Sequence, residues 1–108
     1  MSITAALLIC LSPFAVDGDT IKCGASNVSV HLFGVNSVDR TPLDAKAKAR
    51  LGPLTAGGVT CVPKGTSYSR IVAVCTNHVG TDIGKALITE GLATEWCSYS
   101  RNYYRTCQ

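Results

Sequence analysis

Six cysteines, two histidines and a pair of aspartates astride one glycine carry the most distinctive chemistry in this 108-residue chain. Thiols at Cys10, Cys23, Cys61, Cys75, Cys97 and Cys107 can pair with one another or hold zinc. Zinc sites draw on C-x-x-C pairs and closely spaced histidines. The chain has no C-x-x-C pair, and His31 and His78 fall at no finger-like spacing. An even count in so short a chain instead suits a fully paired disulfide framework, which persists in oxidising compartments. A secreted or periplasmic protein is therefore expected, with the pairing itself left open. The carboxylates of Asp17-Gly18-Asp19-Thr20 have two readings. Asp-Gly is favoured in tight turns for backbone reasons, and for Asp17 that is the better reading. Asp19 can serve either as a turn former or as a site residue. His31 reads as an ordinary side chain of an alternating strand. Arg70 reads as a surface ion-pair partner or a phosphate-binding cation, and Asp39-Arg40 as a solvated loop pair or part of a site. Tyr99, Tyr103 and Tyr104, with Arg101 and Arg105, can stack on bases or pack a short helix against the body of the protein.

The composition bounds what must position these groups. Apolar residues make up 46% and charged residues 16%, which excludes a disordered chain, and the length suffices for one core. No repeat or low-complexity linker interrupts residues 1–108, so a single domain is expected; it is read as a monomer. The formal charge of +3 agrees with an anionic partner without demanding one. Lys46, Lys48 and Arg50 alternate with alanines, so on a helix they spread round a solvated surface. The apolar run Ala5–Leu11 resembles the core of a signal peptide, but no basic residue precedes it and no small-x-small site follows. It is too short to span a bilayer. Cleavage after Leu11 would discard Cys10 and leave an odd cysteine count, so the run is read as the first strand, retained in the domain.

The remaining elements follow from pattern. Phe14-Ala15-Val16 runs into the Asp17-Gly18 turn, and Thr20–Cys23 leaves it. Val28–Val35 is the clearest strand, with Val28, Val30 and Leu32 on one face. Thr41 offers an N-cap, Pro42 a first helical residue and Asp44 the partner of a capping box, for a helix ending near Gly52-Pro53. Gly58–Val62 and Arg70–Cys75 read as strands joined by a polar connection. Ile83, Ala86 and Leu87 share a helix face between Asp82 and Glu90, and Gly91 is its natural terminator. A short helical tail closes an α+β domain with helices packed on a small barrel.

Four blocks together resemble the staphylococcal nuclease (thermonuclease) family along nearly the whole chain. They are Val16–Ile21, Val30–Ser37, Tyr68–Ala73, and Asp82–Leu87 continuing through Glu90–Ala93. The resemblance implies an OB-type five-stranded β-barrel with two to three helices. It also implies Ca²⁺-dependent phosphodiester hydrolysis of DNA or RNA, as an endonuclease. A hard cation held by oxygen donors polarises the phosphate, a carboxylate activates water, and two guanidinium groups stabilise the added charge.

Carried over position by position, Asp19 falls on the metal-binding aspartate. Asn36 stands where a second aspartate ligand is expected, which removes a negative charge. Ser37 falls on a residue that offers a main-chain carbonyl to the metal. Asp39 falls on the general-base glutamate and is one carbon shorter. His31 replaces the first catalytic arginine and cannot form its bidentate fork on phosphate. Arg70 keeps the second arginine, and Tyr68 matches a tyrosine of the nucleotide pocket. Ser69 stands for the usual glycine and Val38 for the usual proline.

In such a fold Cys61 and Cys75 lie on neighbouring antiparallel strands, Cys10 and Cys23 flank the first hairpin, and Cys97 and Cys107 bracket the helical tail. The pairing expected from the resemblance is therefore sequential. The functional expectation is a thermonuclease-type domain with a weakened calcium site, whose hydrolysis is weak or lost. Its partner is single-stranded or flexible nucleic acid. The alternative is a non-catalytic OB-type module that binds nucleic acid or a protein.

Overall fold

In the computed structural model, which describes residues 7–24, 27–38, 40–67 and 69–108, eight strands and three helices form an α+β arrangement. In chain order these are β1 (Leu8–Cys10), β2 (Pro13–Asp17), β3 (Thr20–Cys23), β4 (Val28–Leu32), β5 (Val35–Asn36), α1 (Pro42–Thr55), β6 (Val59–Ser67), β7 (Arg70–Asn77), α2 (Ile83–Thr89), β8 (Thr94–Glu95) and α3 (Cys97–Ser100).

Six strands make one mixed sheet in the order β1-β6-β7-β4-β3-β2, and β5 pairs with β8 separately. All sheet pairings are antiparallel except β4 with β7. That parallel pair needs a long crossover, which α1 and β6 provide. The sheet is not closed: no ladder joins β1 to β2, so the expected five-stranded barrel is observed only as this open sheet. Its two edge strands are nonetheless consecutive in the chain, separated by Leu11 and Ser12. The Cys10–Cys23 disulfide ties β1 to β3 beside this link, and the Gly24 N–H donates to the Ser12 carbonyl at 3.0 Å.

The core lies between one face of the sheet and the helices. Ile21, Val30, Leu32, Val35, Leu51, Ile83 and Leu87 are all essentially inaccessible. Each such side chain contributes about 1.5–3 kcal/mol through burial. The helix α1 buries Ala47, Leu51 and Leu54, spaced by four and three residues along one face. Thr41 caps it, its Oγ1 accepting from Asp44 N at 3.1 Å.

Some boundaries differ from the sequence pattern. The helix α1 passes Gly52-Pro53 and ends at Thr55. Its last turn is held from outside, where Leu54 and Thr55 are buried and the Leu54 carbonyl accepts from Asn77 Nδ2 at 3.0 Å, and from within, where Thr55 Oγ1 donates to the Leu51 carbonyl at 2.7 Å. The strand expected to run through Val35 breaks after Leu32, because Gly34 turns the chain at φ +69°. The strand β6 continues beyond Val62 to Ser67, with a register shift between Pro63 and Gly65 that accommodates the missing proline N–H. Helix α2 meets expectation, capped by Asp82 Oδ1 accepting from Lys85 N at 3.1 Å and followed by Gly91 at φ +75°.

All six cysteines are paired, as Cys10–Cys23, Cys61–Cys75 and Cys97–Cys107. Cys61 and Cys75 sit directly opposite each other on β6 and β7. Such a framework fits an oxidising environment. Among the described residues no helix is long and apolar enough to cross a membrane.

Candidate functional site

The turn between β2 and β3 delivers Asp19 to a buried position, and strand register sets His31 beside it. Thr20 pairs with His31 across β3 and β4. The Asp19 carboxylate is engaged on both oxygens. Oδ1 accepts from Thr20 Oγ1 at 3.0 Å, Oδ2 accepts from Ser37 N at 3.0 Å, and His31 Nε2 lies 3.4 Å from Oδ2. Burial by itself would raise the Asp19 carboxyl. The hydrogen bond and charge of His31, the Ser37 N–H and the Thr20 hydroxyl outweigh it and hold the group below its ordinary value. Thr20 Oγ1 also accepts from Arg70 Nη1 at 3.4 Å. Asp19, His31, Ser37 and Arg70 thus belong to one contact network joined through Thr20.

Gly18 explains how helix α1 supports this network. Its N–H donates to Asp44 Oδ1 at 2.9 Å, and the same oxygen accepts from Ser37 Oγ at 2.7 Å. A β-carbon at Gly18 would stand 2.7 Å from Asp44 Oδ1 and 2.8 Å from the Ala47 Cβ. Glycine is required here by close approach, since its φ is not positive. The reading of Asp17-Gly18 as a turn signal located the turn, whereas its contact with α1 accounts for the glycine. Asp44, read as a capping partner, is also the tie between α1 and the site turn.

On the other side of His31 a cavity of about 520 Å³ opens, lined among others by Phe33, Lys64, Arg70, Trp96 and Tyr99. The Trp96 ring meets His31 edge-on at 6.4 Å and Tyr99 at 4.6 Å, and Tyr103 stands against Phe33 at 5.6 Å. Arg70 is half-buried and Lys64 exposed, so two cations border an aromatic wall. Among the described residues the only side-chain hydrogen bond of Arg70 is the one to Thr20. An arrangement of this kind can stack planar rings while neutralising phosphate.

The aromatic wall is positioned by Glu95, a buried carboxylate at the end of β8. It accepts from Ser100 Oγ, from Tyr104 N at 3.0 Å, and from Thr106 N and Oγ1 at 3.0 and 2.8 Å. Burial would raise its pKa, but these donors, Ser100 foremost, hold it down to about 2. Tyr104, expected to stack or to pack, packs: it is buried and its hydroxyl donates to the Phe33 carbonyl.

Asn36 is half-buried in β5 opposite Thr94, next in the chain to Ser37. Asp39 and Tyr68 lie outside the described residues. Among the described residues the one cluster of three metal-ligating side chains is Glu95, Cys97 and Cys107, and its two sulfurs are joined in a disulfide. Trp96, Phe33 and Lys64 were not singled out from the sequence. The one signal available was Trp96 as the sole tryptophan. No protein-family model matches this chain, and no curated protein sequence matches it.

Proposed function

We propose that this domain binds single-stranded or flexible nucleic acid at the cavity beside His31, as a thermonuclease-type barrel whose phosphodiester hydrolysis is weak or lost. One observation carries the reading: the Asp19–His31–Arg70 network opens directly onto a cavity walled by Phe33, Trp96 and Tyr99 and bordered by Lys64 and Arg70. Aromatic faces there stack bases at about 1–3 kcal/mol each, and the two cations meet the phosphates. The barrel is supported by the parallel β4–β7 pairing and by edge strands only two residues apart. Three disulfides support a secreted or periplasmic setting.

The donor set fits a calcium ion poorly. Calcium takes about six to eight oxygen donors and favours several carboxylates. Of the expected ligands Asp19, Asn36 and Ser37, Asp19 alone is a carboxylate, and its Oδ2 already faces His31 Nε2 and the Ser37 N–H. Asn36 and the Ser37 carbonyl would add only neutral oxygens. What the side chains do without calcium is hold: Arg70 reaches into the cavity, Thr20 orients it, and His31 occupies the place where a second guanidinium would be needed.

The deciding experiment compares cleavage and binding of single-stranded DNA, with Ca²⁺ and with EDTA, by the native chain and by the triple variant His31→Arg, Asn36→Asp, Asp39→Glu. Salt-sensitive binding by both, with Ca²⁺-dependent cleavage by the triple variant alone, is the expected result. Robust cleavage by the native chain would overturn the loss of hydrolysis, and absence of binding by both would overturn the ligand.

A further inference from the structure

The three disulfides differ in accessibility in a way that bears on the cavity. Cys10 and Cys23 are 1% and 3% exposed, and Cys61 and Cys75 are 0% and 1% exposed. Cys97 is exposed and Cys107 half-buried, so the third bond is the one a reductant in solution reaches. This bond also closes the segment that forms the aromatic wall. Tyr99 lies inside the closed loop, Trp96 immediately precedes it, and Tyr103 of the same loop stands against Phe33.

The loop is held in a conformation that it would not keep unaided. Arg101, Asn102 and Arg105 have φ of +53°, +64° and +64°, in the left-handed region that side-chain-bearing residues disfavour. Its relaxation is opposed by the Cys97–Cys107 bond, by the hydrogen bonds to Glu95, by the buried Tyr104 with its hydroxyl on the Phe33 carbonyl, and by the Cys107 N–H donating to Asn102 Oδ1, and of these restraints only the disulfide is open to a reductant. Helix α3 is a single turn of four residues and cannot hold the wall by itself.

We propose that Cys97–Cys107 is a redox latch on this cavity: a dithiol reductant opens it selectively, loosens the Trp96–Tyr99 wall and lowers affinity for the ligand. The proposal rests on the nucleic-acid reading for the ligand alone. In chemical terms, a thiolate of the dithiol attacks the sulfur of Cys97, the more exposed residue of the pair. The S–S bond breaks, and Cys107 leaves as a thiolate and takes a proton. The second thiol of the reductant then attacks the mixed disulfide and releases Cys97. Two electrons have passed to the protein, and the dithiol has become a disulfide.

The test titrates the folded, oxidised full chain with dithiothreitol. Free thiols are trapped by alkylation and mapped by mass spectrometry. Trp96 emission, unique to the sole tryptophan, and binding of a short oligodeoxythymidylate are followed in parallel. Alkylation of Cys97 and Cys107 ahead of the other four, with a shift in Trp96 emission and about tenfold weaker binding, is expected from loss of a pre-organised wall. Alkylation of the buried cysteines at the same dithiothreitol concentration would overturn the latch. So would selective opening that leaves Trp96 emission unchanged, or oligonucleotide binding that is equal before and after. A Cys97→Ser, Cys107→Ser chain should match the reduced protein and ignore dithiothreitol. If the oxidised chain binds no oligonucleotide yet Trp96 emission follows selective reduction, the latch stands and the nucleic-acid reading fails.

Discussion

Asp19 keeps its charge in a buried place because three different elements donate to it or stand beside it: Thr20 on β3, His31 on β4 and Ser37 after β5. Its depressed pKa makes it a source of stability above the ordinary carboxylate value of 3.8, lost as pH falls through the lower folded value. Asp19→Asn should therefore be less stable than the native chain at pH 7 and converge on it in strong acid, checked by thermal unfolding across pH. Arg70 works differently, since its one observed partner among the described residues is a hydroxyl, and in the proposed reading its charge meets phosphate. Arg70→Ala should weaken oligonucleotide binding roughly uniformly across sequences and reduce the salt slope by about one. Trp96→Ala should cost about 1–3 kcal/mol of binding with the salt slope unchanged, because stacking releases no counterions. Equal salt-slope losses in both variants would contradict this division of labour.

Elements position these residues through contacts that cross long stretches of chain. The N-terminal turn of α1 is fastened to the site by Asp44, which bridges Gly18 and Ser37. Gly18→Ala should destabilise the fold by about 1–3 kcal/mol, because the added methyl overpacks against Asp44 and Ala47. Chemical denaturation reads that loss. At the other end of the site, Glu95 organises everything after β8. With a folded pKa of about 2 against an ordinary 4.5, its contribution is complete above pH 4.5 and is lost as pH falls towards 2. Glu95→Gln should remove that acid-sensitive component, leaving a flatter profile of stability over this window while lowering stability at neutral pH.

At the scale of the whole molecule, the six-stranded sheet, β5 and the helices α1 and α2 make a small core, and covalent links supplement it. Cys61–Cys75 closes a loop of 14 residues through the middle of the β6–β7 hairpin, and replacing both cysteines with alanine should cost roughly 3 kcal/mol. Much of this architecture was legible in the chain. Alternation at Val30 and Leu32, the Thr41-Pro42 helix start, the Asp82 and Gly91 boundaries and the even cysteine count are local signals, and local physics carries them into the structure. Where the pattern misled, a distant partner had won: Asn77 and burial hold α1 past Pro53, and Gly34 splits the long strand so that β5 can meet β8. The meeting of Asp19, His31, Ser37 and Arg70 was anticipated only through the family resemblance. Trp96 and Lys64 were not anticipated, since nothing near them in the chain marks them as neighbours. By itself the sequence determined the element types, the caps and the need for paired thiols, because those depend on residues a few positions apart. Only the tertiary structure decided that Asp19 is committed to His31 and Ser37, and that an aromatic wall stands beside Arg70. Those contacts depend on strand register and on the packing of α1 and the C-terminal loop against the sheet.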